Sequence, residues 1–208
     1  MDEWPGGVVQ QYGTAGPLVE EMLMELPAAQ GIVEGEEAKT ELGKVVEQVL
    51  DSADAVGMFQ LQCARARDDA TALLFPNTDS LDIIKQIVDA SGANRLVALV
   101  NPQFKGPQDF GFFGRAAAEK QLGEFETSYE LSSLLIYGYT LRLLKCYPSD
   151  WTLFLVDETG ETAMREVIGN WPSRPTFEQM QDTLFAIKGK PSPADRIQTS
   201  ARLFQDGM

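Results

Sequence analysis

The stretch GPQDFGFFGR, residues 106–115, holds the residue types that an anion site uses. Gly106, Gly111 and Gly114 permit tight turns and expose backbone amides. Gly114-Arg115 opens an expected helix, so a phosphate there would meet both a helix N-terminus and a guanidinium. The stretch follows the apolar run RLVALV and then Asn101-Pro102-Gln103. In open α/β sheets, ligands bind beyond the carboxyl ends of such strands. Neither GxGxxG nor GxxxxGKS is present, so no dinucleotide fingerprint or Walker loop supports the site. FGFFG reads equally as apolar packing that pins a long connection. Asn101 has a structural role open to it, bonding nearby backbone, and Pro102 restricts it to an extended form. Gln103 either reaches a ligand or caps a neighbouring carbonyl. Asn101, Gln103, Gly111, Gly114 and Arg115 are the candidate ligand or anion loop.

A second cluster lies in YTLRLLKCYPSDW, residues 139–151. Arg142 and Lys145 are three apart and would share a face on a helix. Tyr147, Pro148 and Trp151 follow, at an expected helix-to-strand transition. Arg142, Lys145, Tyr147 and Trp151 form the candidate partner surface, because aromatics and arginine are enriched in interface hot spots. The plainer reading puts Trp151 in the core and pairs Arg142 with a local carboxylate. For carboxylate chemistry the candidates are Asp68, Asp69, Asp109, Asp157 and Glu158. No two of them have a spacing that demands a two-carboxylate mechanism.

The chain contains no histidine. That removes a Ser-His-Asp triad, a Cys-His pair and an HExxH zinc site. Its two cysteines, Cys63 and Cys146, are far apart and form neither a disulfide scaffold nor a CxxC pair. No catalytic residue, metal ligand or cofactor is assigned. Net charge is -14, and residues 1–60 hold twelve Asp or Glu against Lys39 and Lys44. That acidic front reads as a solvated face or a docking surface for a basic partner. The basic footprint of a nucleic-acid binder is not visible. No apolar run approaches the roughly 18 residues of a membrane span, so any membrane association is expected to be peripheral. Met1-Asp2-Glu3-Trp4 is too acidic for a signal or transit peptide.

These clusters need elements to hold them. Residues 1–16 are Gly-rich and expected to be loose. PLVEEMLMELP, 17–27, fits either a short helix or an alternating strand. Ala38, Leu42, Val45, Val46, Val49 and Leu50 recur at helical spacing and predict a helix over 36–51. AVGMFQLQCA, 55–64, is a strand or the end of that helical region. ATALLFP, 70–76, reads as a buried strand stopped by Pro76. Leu81, Ile84, Ile87 and Val88 predict a helix capped at Asp79 or Ser80 and ended at Gly92. RLVALV, 95–100, is the next strand. Strand, helix, strand with continuous apolar runs argues for a parallel sheet covered on both faces. A short helix over 115–125 and a strand-like run over 127–139 follow. TLRLLKCYP then predicts a brief helix. WTLFLVDETGETAMREVI predicts a hairpin turning at 157–160. A helix over 177–187 carries a Thr176/Gln179 capping box and stops at Gly189. The expectation is one α/β domain over 17–189, a single layered unit with a mostly parallel mixed sheet, helices on both faces and an antiparallel C-terminal hairpin. Residues 190–208 form a polar tail.

LLFPNTD, LVNPQF, FGFFGR, FETSYEL and LLKCYPSDW occur in this order. Together they resemble a domain-of-unknown-function family of cyanobacteria and plastids. That domain is seen in the low-photosystem-II-accumulation protein three and in a plastid adenylate kinase extension. The resemblance is strongest over 73–183 and runs through Phe75, Pro76, Asn101, Gln103, Arg115, Tyr129, Arg142 and Trp151. It tips MLMEL towards a strand. It implies a non-catalytic chloroplast factor, in the stroma or peripherally on the thylakoid. Such a factor would assist assembly or regulation of a photosynthetic complex through contacts with photosystem subunits or assembly factors. It carries no catalytic residue. The alternative is a regulatory domain that binds a small molecule, nucleotide or phosphate at Gly111–Arg115.

Overall fold

The computed structural model describes residues 7–32, 41–156 and 166–190. The chain divides into two compact units, Met1–Phe125 and Glu126–Met208, where the sequence suggested one domain. The architecture is α/β with one mixed and one antiparallel sheet, four strands each. The polar tail lies outside the described residues from 191 on.

In the first unit, α1 (Val8–Met24) precedes the hairpin β1 (Lys44–Asp51) and β2 (Val56–Gln62). There follow β3 (Ala70–Leu74), α2 (Leu81–Ser91), β4 (Leu96–Val100) and α3 (Gly111–Leu122). The sheet order is β1-β2-β3-β4. Only β3 and β4 run parallel, so the expected mostly parallel sheet is confined to the strand-helix-strand segment that predicted it. Three expectations change here. Residues 8–16 are helical rather than loose, and MLM of MLMEL ends the same helix rather than forming a strand. Gly16, Val19 and Leu23 are its buried positions, a spacing of three and four that only a helix puts on one face. Residues 44–51 are a strand, not the end of a helix. Their β-branched Val45, Val46 and Val49 pair across the hairpin with Leu61, Gln60 and Gly57.

Both faces of this sheet are covered. Phe59, Leu61, Ala72 and Leu74 pack with Val19 and Leu23 of α1. Their alternates Met58 and Leu73 pack with Ile84 of α2 and with Phe104. Close packing leaves no room at Gly57, where a Cβ would overlap the Tyr12 ring and hydroxyl. Tyr12 in turn donates to a Glu47 carboxylate oxygen at 2.7 Å. Burial, with that carboxylate beside it, pushes the Tyr12 phenol well above its ordinary pKa.

The second unit is a meander, β5 (Tyr129–Ile136), β6 (Tyr139–Cys146), β7 (Trp151–Leu155) and β8 (Glu166–Trp171), followed by α4 (Phe177–Lys188). The β7–β8 hairpin forms as expected, and its turn at 157–160 lies outside the described residues. TLRLLKCYP is strand β6, not a helix. Tyr137 and Gly138 join β5 to β6 with φ of 50° and 81°, the left-handed pair of a two-residue hairpin. Eight cross-strand pairs then override the helix-forming leucines, arginine and lysine. Leu141, Leu143, Leu153 and Leu155 point to α4 and meet Met180 and Leu184. The helix starts as predicted, with Thr176 accepting from the Gln179 amide and Gln179 answering at the Thr176 amide.

Candidate functional site

At the carboxyl ends of β3 and β4 the two strands leave the sheet through strained residues. Phe75 and Asn101 have φ of 54° and 47°, left-handed values that asparagine tolerates better than most residues, so Asn101 does not take the extended form expected ahead of Pro102. The Phe75 amide donates to the Val100 carbonyl at 2.9 Å, and the Gln103 amide to Pro76 at 2.8 Å. The Gln103 side-chain nitrogen donates to both the Asp54 and Phe75 carbonyls at 3.0 Å. Of its two sequence-stated options, Gln103 therefore caps carbonyls. It ties the β1–β2 turn to the exits of β3 and β4. Asn77 adds to the tie, donating to Asp54 at 2.7 Å while capping the turn before α2. At these strand ends, where an open parallel sheet holds its ligand, the exposed Gln103 amide bonds the chain's own carbonyls.

Beyond it, Phe104 is buried and stacks with Phe110 at 5.0 Å. Asp109 accepts from the Lys105 amide at 2.6 Å, which closes the loop rather than presenting a base. Gly111 has φ of 66° and starts α3, one turn earlier than the expected start near Arg115. No side chain caps this start, and Arg115 is exposed in the second turn. The structure thus brings Gly111, Gly114 and Arg115 to one helix start and assigns Asn101 and Gln103 to the strand exits. A depression beside Gly114, about 450 Å³, is lined by Asp79, Asp82 and Asp109 with Thr78, Leu81 and Phe110. Three carboxylates around it oppose an anion there.

The packing expected of FGFFG is done by Phe110 with Phe104, and the other two phenylalanines do none of it. Phe112 and Phe113 are 91% and 96% exposed and touch each other edge to face at 5.4 Å. The packing alternative for FGFFG treated all of these rings alike. The signal that separates them is position. Phe110 and Ala118 turn inward eight apart, while two adjacent rings on one helix turn cannot both share that stripe.

The second candidate surface does not hold together. A separation of three, one face of a helix, puts Arg142 and Lys145 on opposite faces of a strand. Lys145 is 7% exposed and donates to the Ser149 carbonyl at 2.7 Å. Trp151 is 5% exposed, within the core beside α4, with the Arg174 guanidinium 5.6 Å from its ring centre. Arg174 reaches Glu130 at 2.6 Å. Tyr147 is exposed at the strand end. Arg142 alone faces away from the core, half-buried. It lacks the local carboxylate expected for it: among the described residues it has no hydrogen-bond or ion-pair partner.

The remaining acids are structural as well. Asp68 pairs with Arg65 at 2.6 Å, and Asp69 accepts from the Cys63 amide at 2.8 Å. Burial, then Asp69 and Asp68, raises the Cys63 thiol, so it is held as a thiol. Asp157 and Glu158 lie outside the described residues. At the amino ends of β3 and β4 a depression of about 500 Å³ is lined by Leu26, Ile32, Arg67, Asp68 and Asn94 among others. Among the described residues no three acidic or sulfur side chains are grouped to hold a metal ion, and no helix is long and apolar enough to cross a membrane.

These features define an α/β protein whose strand exits are tied by its own amide side chains and whose exposed aromatics sit at a helix start. The chain belongs to the DUF1995 family, described as a domain of unknown function, whose model matches residues 10–182 and so runs through both units. No curated protein and no solved structure matches it.

Proposed function

We propose that this protein is a non-catalytic auxiliary factor that acts by contact with protein partners. Those partners belong to a photosynthetic complex of the chloroplast, met in the stroma or peripherally at the thylakoid, and are photosystem subunits or assembly factors. One observation carries the mode of action: Phe112 and Phe113 stand 91% and 96% exposed at the start of α3. Burying a phenylalanine is worth roughly 1.5–3 kcal/mol, and this fold leaves that gain unused twice in adjacent residues. Aromatic residues of this kind are enriched at the cores of protein interfaces. The partner class rests on the resemblance of LVNPQF, FGFFGR and LLKCYPSDW to the plastid and cyanobacterial family.

The test is co-purification from stromal and thylakoid fractions with the full chain and with a Phe112→Ser, Phe113→Ser double variant. The expected result is recovery of photosystem subunits or assembly factors with the original chain. Recovery falls by about tenfold or more in the double variant at an unchanged melting temperature. Recovery of the protein alone overturns the reading. Binding of inorganic phosphate or a nucleotide that Arg115→Ala abolishes would transfer the function to the Gly111–Arg115 loop.

A further inference from the structure

The outer face of the second sheet is built unlike a solvated one. Directly opposed residues in an antiparallel sheet share a face, and residues two apart along a strand share it too. Arg142 is opposed by Ser133 on β5 and Phe154 on β7, and Phe154 by Val167 on β8. All four point away from the core that α4 covers, since their neighbours Leu141, Leu143, Leu153 and Leu155 belong to it. The same outer rows carry Leu131 opposite Leu144, and then Leu135 and Tyr129. Tyr129, Leu131, Leu135 and Val167 are 64%, 44%, 50% and 52% exposed. Solvated sheet faces ordinarily alternate to polar residues at these positions; here the neutral polar Ser133, Thr140, Thr152 and Asn170 are interleaved with the apolar rows. Here Arg142 is the one charged residue in the central rows, and it is half-buried without a partner among the described residues.

We infer that this face docks a protein segment that presents an apolar surface carrying one central carboxylate. The apolar rows supply the area. Arg142 supplies the register, because a guanidinium half-withdrawn from water favours a bidentate carboxylate over any neutral group. A second copy fits poorly. Pairing about a two-fold axis through the centre of this face would set two Arg142 side chains against each other. An anionic membrane fits poorly as well, since the chain carries a net charge of -14. This surface lies on the second sheet, apart from the Phe112–Phe113 tip in sequence and unit. Its failure and that of the proposed photosynthetic partner are therefore separate outcomes.

The experiment uses the full chain and two amphipathic helical peptides, identical except for one residue at the middle of the leucine stripe, Glu in one and Lys in the other. Binding is followed by fluorescence anisotropy. The original chain is expected to bind the Glu peptide about tenfold more tightly than the Lys peptide. Arg142→Glu is expected to reverse that preference, and Arg142→Gln to abolish it, with the melting temperature of each variant checked first. Equal affinity for the two peptides, no binding of either, or a preference unmoved by Arg142→Gln overturns the inference. Attachment to phosphatidylglycerol vesicles that Arg142→Gln removes overturns it in favour of a lipid surface.

Discussion

Strands β3 and β5 stand at two extremes. Ala70, Ala72, Leu73 and Leu74 of β3 are at most 3% exposed, on both faces of the strand. Along β5 burial alternates, with Tyr129, Leu131, Ser133 and Leu135 open to solvent and Glu130, Ser132 and Leu134 less so. The first sheet is enclosed between α1 on one side and α2 with the Phe104–Phe110 pair on the other. Among the described residues, the second has α4 on one side only. Both sheets have four strands and both carry leucine on each face, so leucine content alone does not distinguish them. The difference lies in what the rest of each unit supplies as cover. Where a sheet is covered on both faces, as at β3, it spends its apolar residues on stability, while Val49 and Leu96 on its edge strands stay 54% and 50% exposed. A half-covered one leaves them for something outside the unit.

Three substitutions put that contrast to the test. Leu73→Ala empties a site with no solvent exposure in the middle of the first sheet, and should cost about 2–5 kcal/mol in denaturant unfolding. A loss under about 1 kcal/mol would mean that the β3 core is loosely packed. Thr176→Ala removes the side chain that caps α4 on the second unit's core, and should cost about 1 kcal/mol, with helix content little changed by circular dichroism. Leu131→Ser, on the open face, should change stability by no more than about 0.5 kcal/mol. A loss approaching that of Leu73→Ala would show that the outer face is already covered, and the contrast between the sheets would fail.

Much of the first unit was legible because its signals are local. ATALLFP, RLVALV and the Leu81–Val88 stripe each announce one element, and a strand-helix-strand order implies a parallel pair. The structure holds that pair. The capping box of Thr176 and Gln179 was legible for the same reason: four residues specify it. What failed was decided by partners distant in sequence. Val45, Val46 and Val49 fit a helical stripe, and only pairing with β2 makes them a strand. TLRLLKC has helix-forming residues, and only the Tyr137-Gly138 turn and pairing with β5 fix it as β6. That single error misplaced the candidate partner surface, because a period of 3.6 puts Arg142 beside Lys145 and a period of 2 separates them. The segment 101–115 was read as a connection from β4 to a helix, which it is, and misread in its parts. Nothing local tells that Gln103 turns inward to Asp54 and Phe75, or that two of the three phenylalanines in FGFFG turn outward.

Hydroxyl-radical footprinting of the isolated full chain, read residue by residue by mass spectrometry, tests the central claim most directly. Phe112 and Phe113 on α3 and Tyr129, Leu131 and Val167 on the second sheet should be modified readily, while Phe59, Leu73 and Leu153 stay protected. Protection of Phe112, Phe113 and Leu131 to the level of Phe59 in the isolated protein would contradict it, for those side chains would then be core and not contact surface.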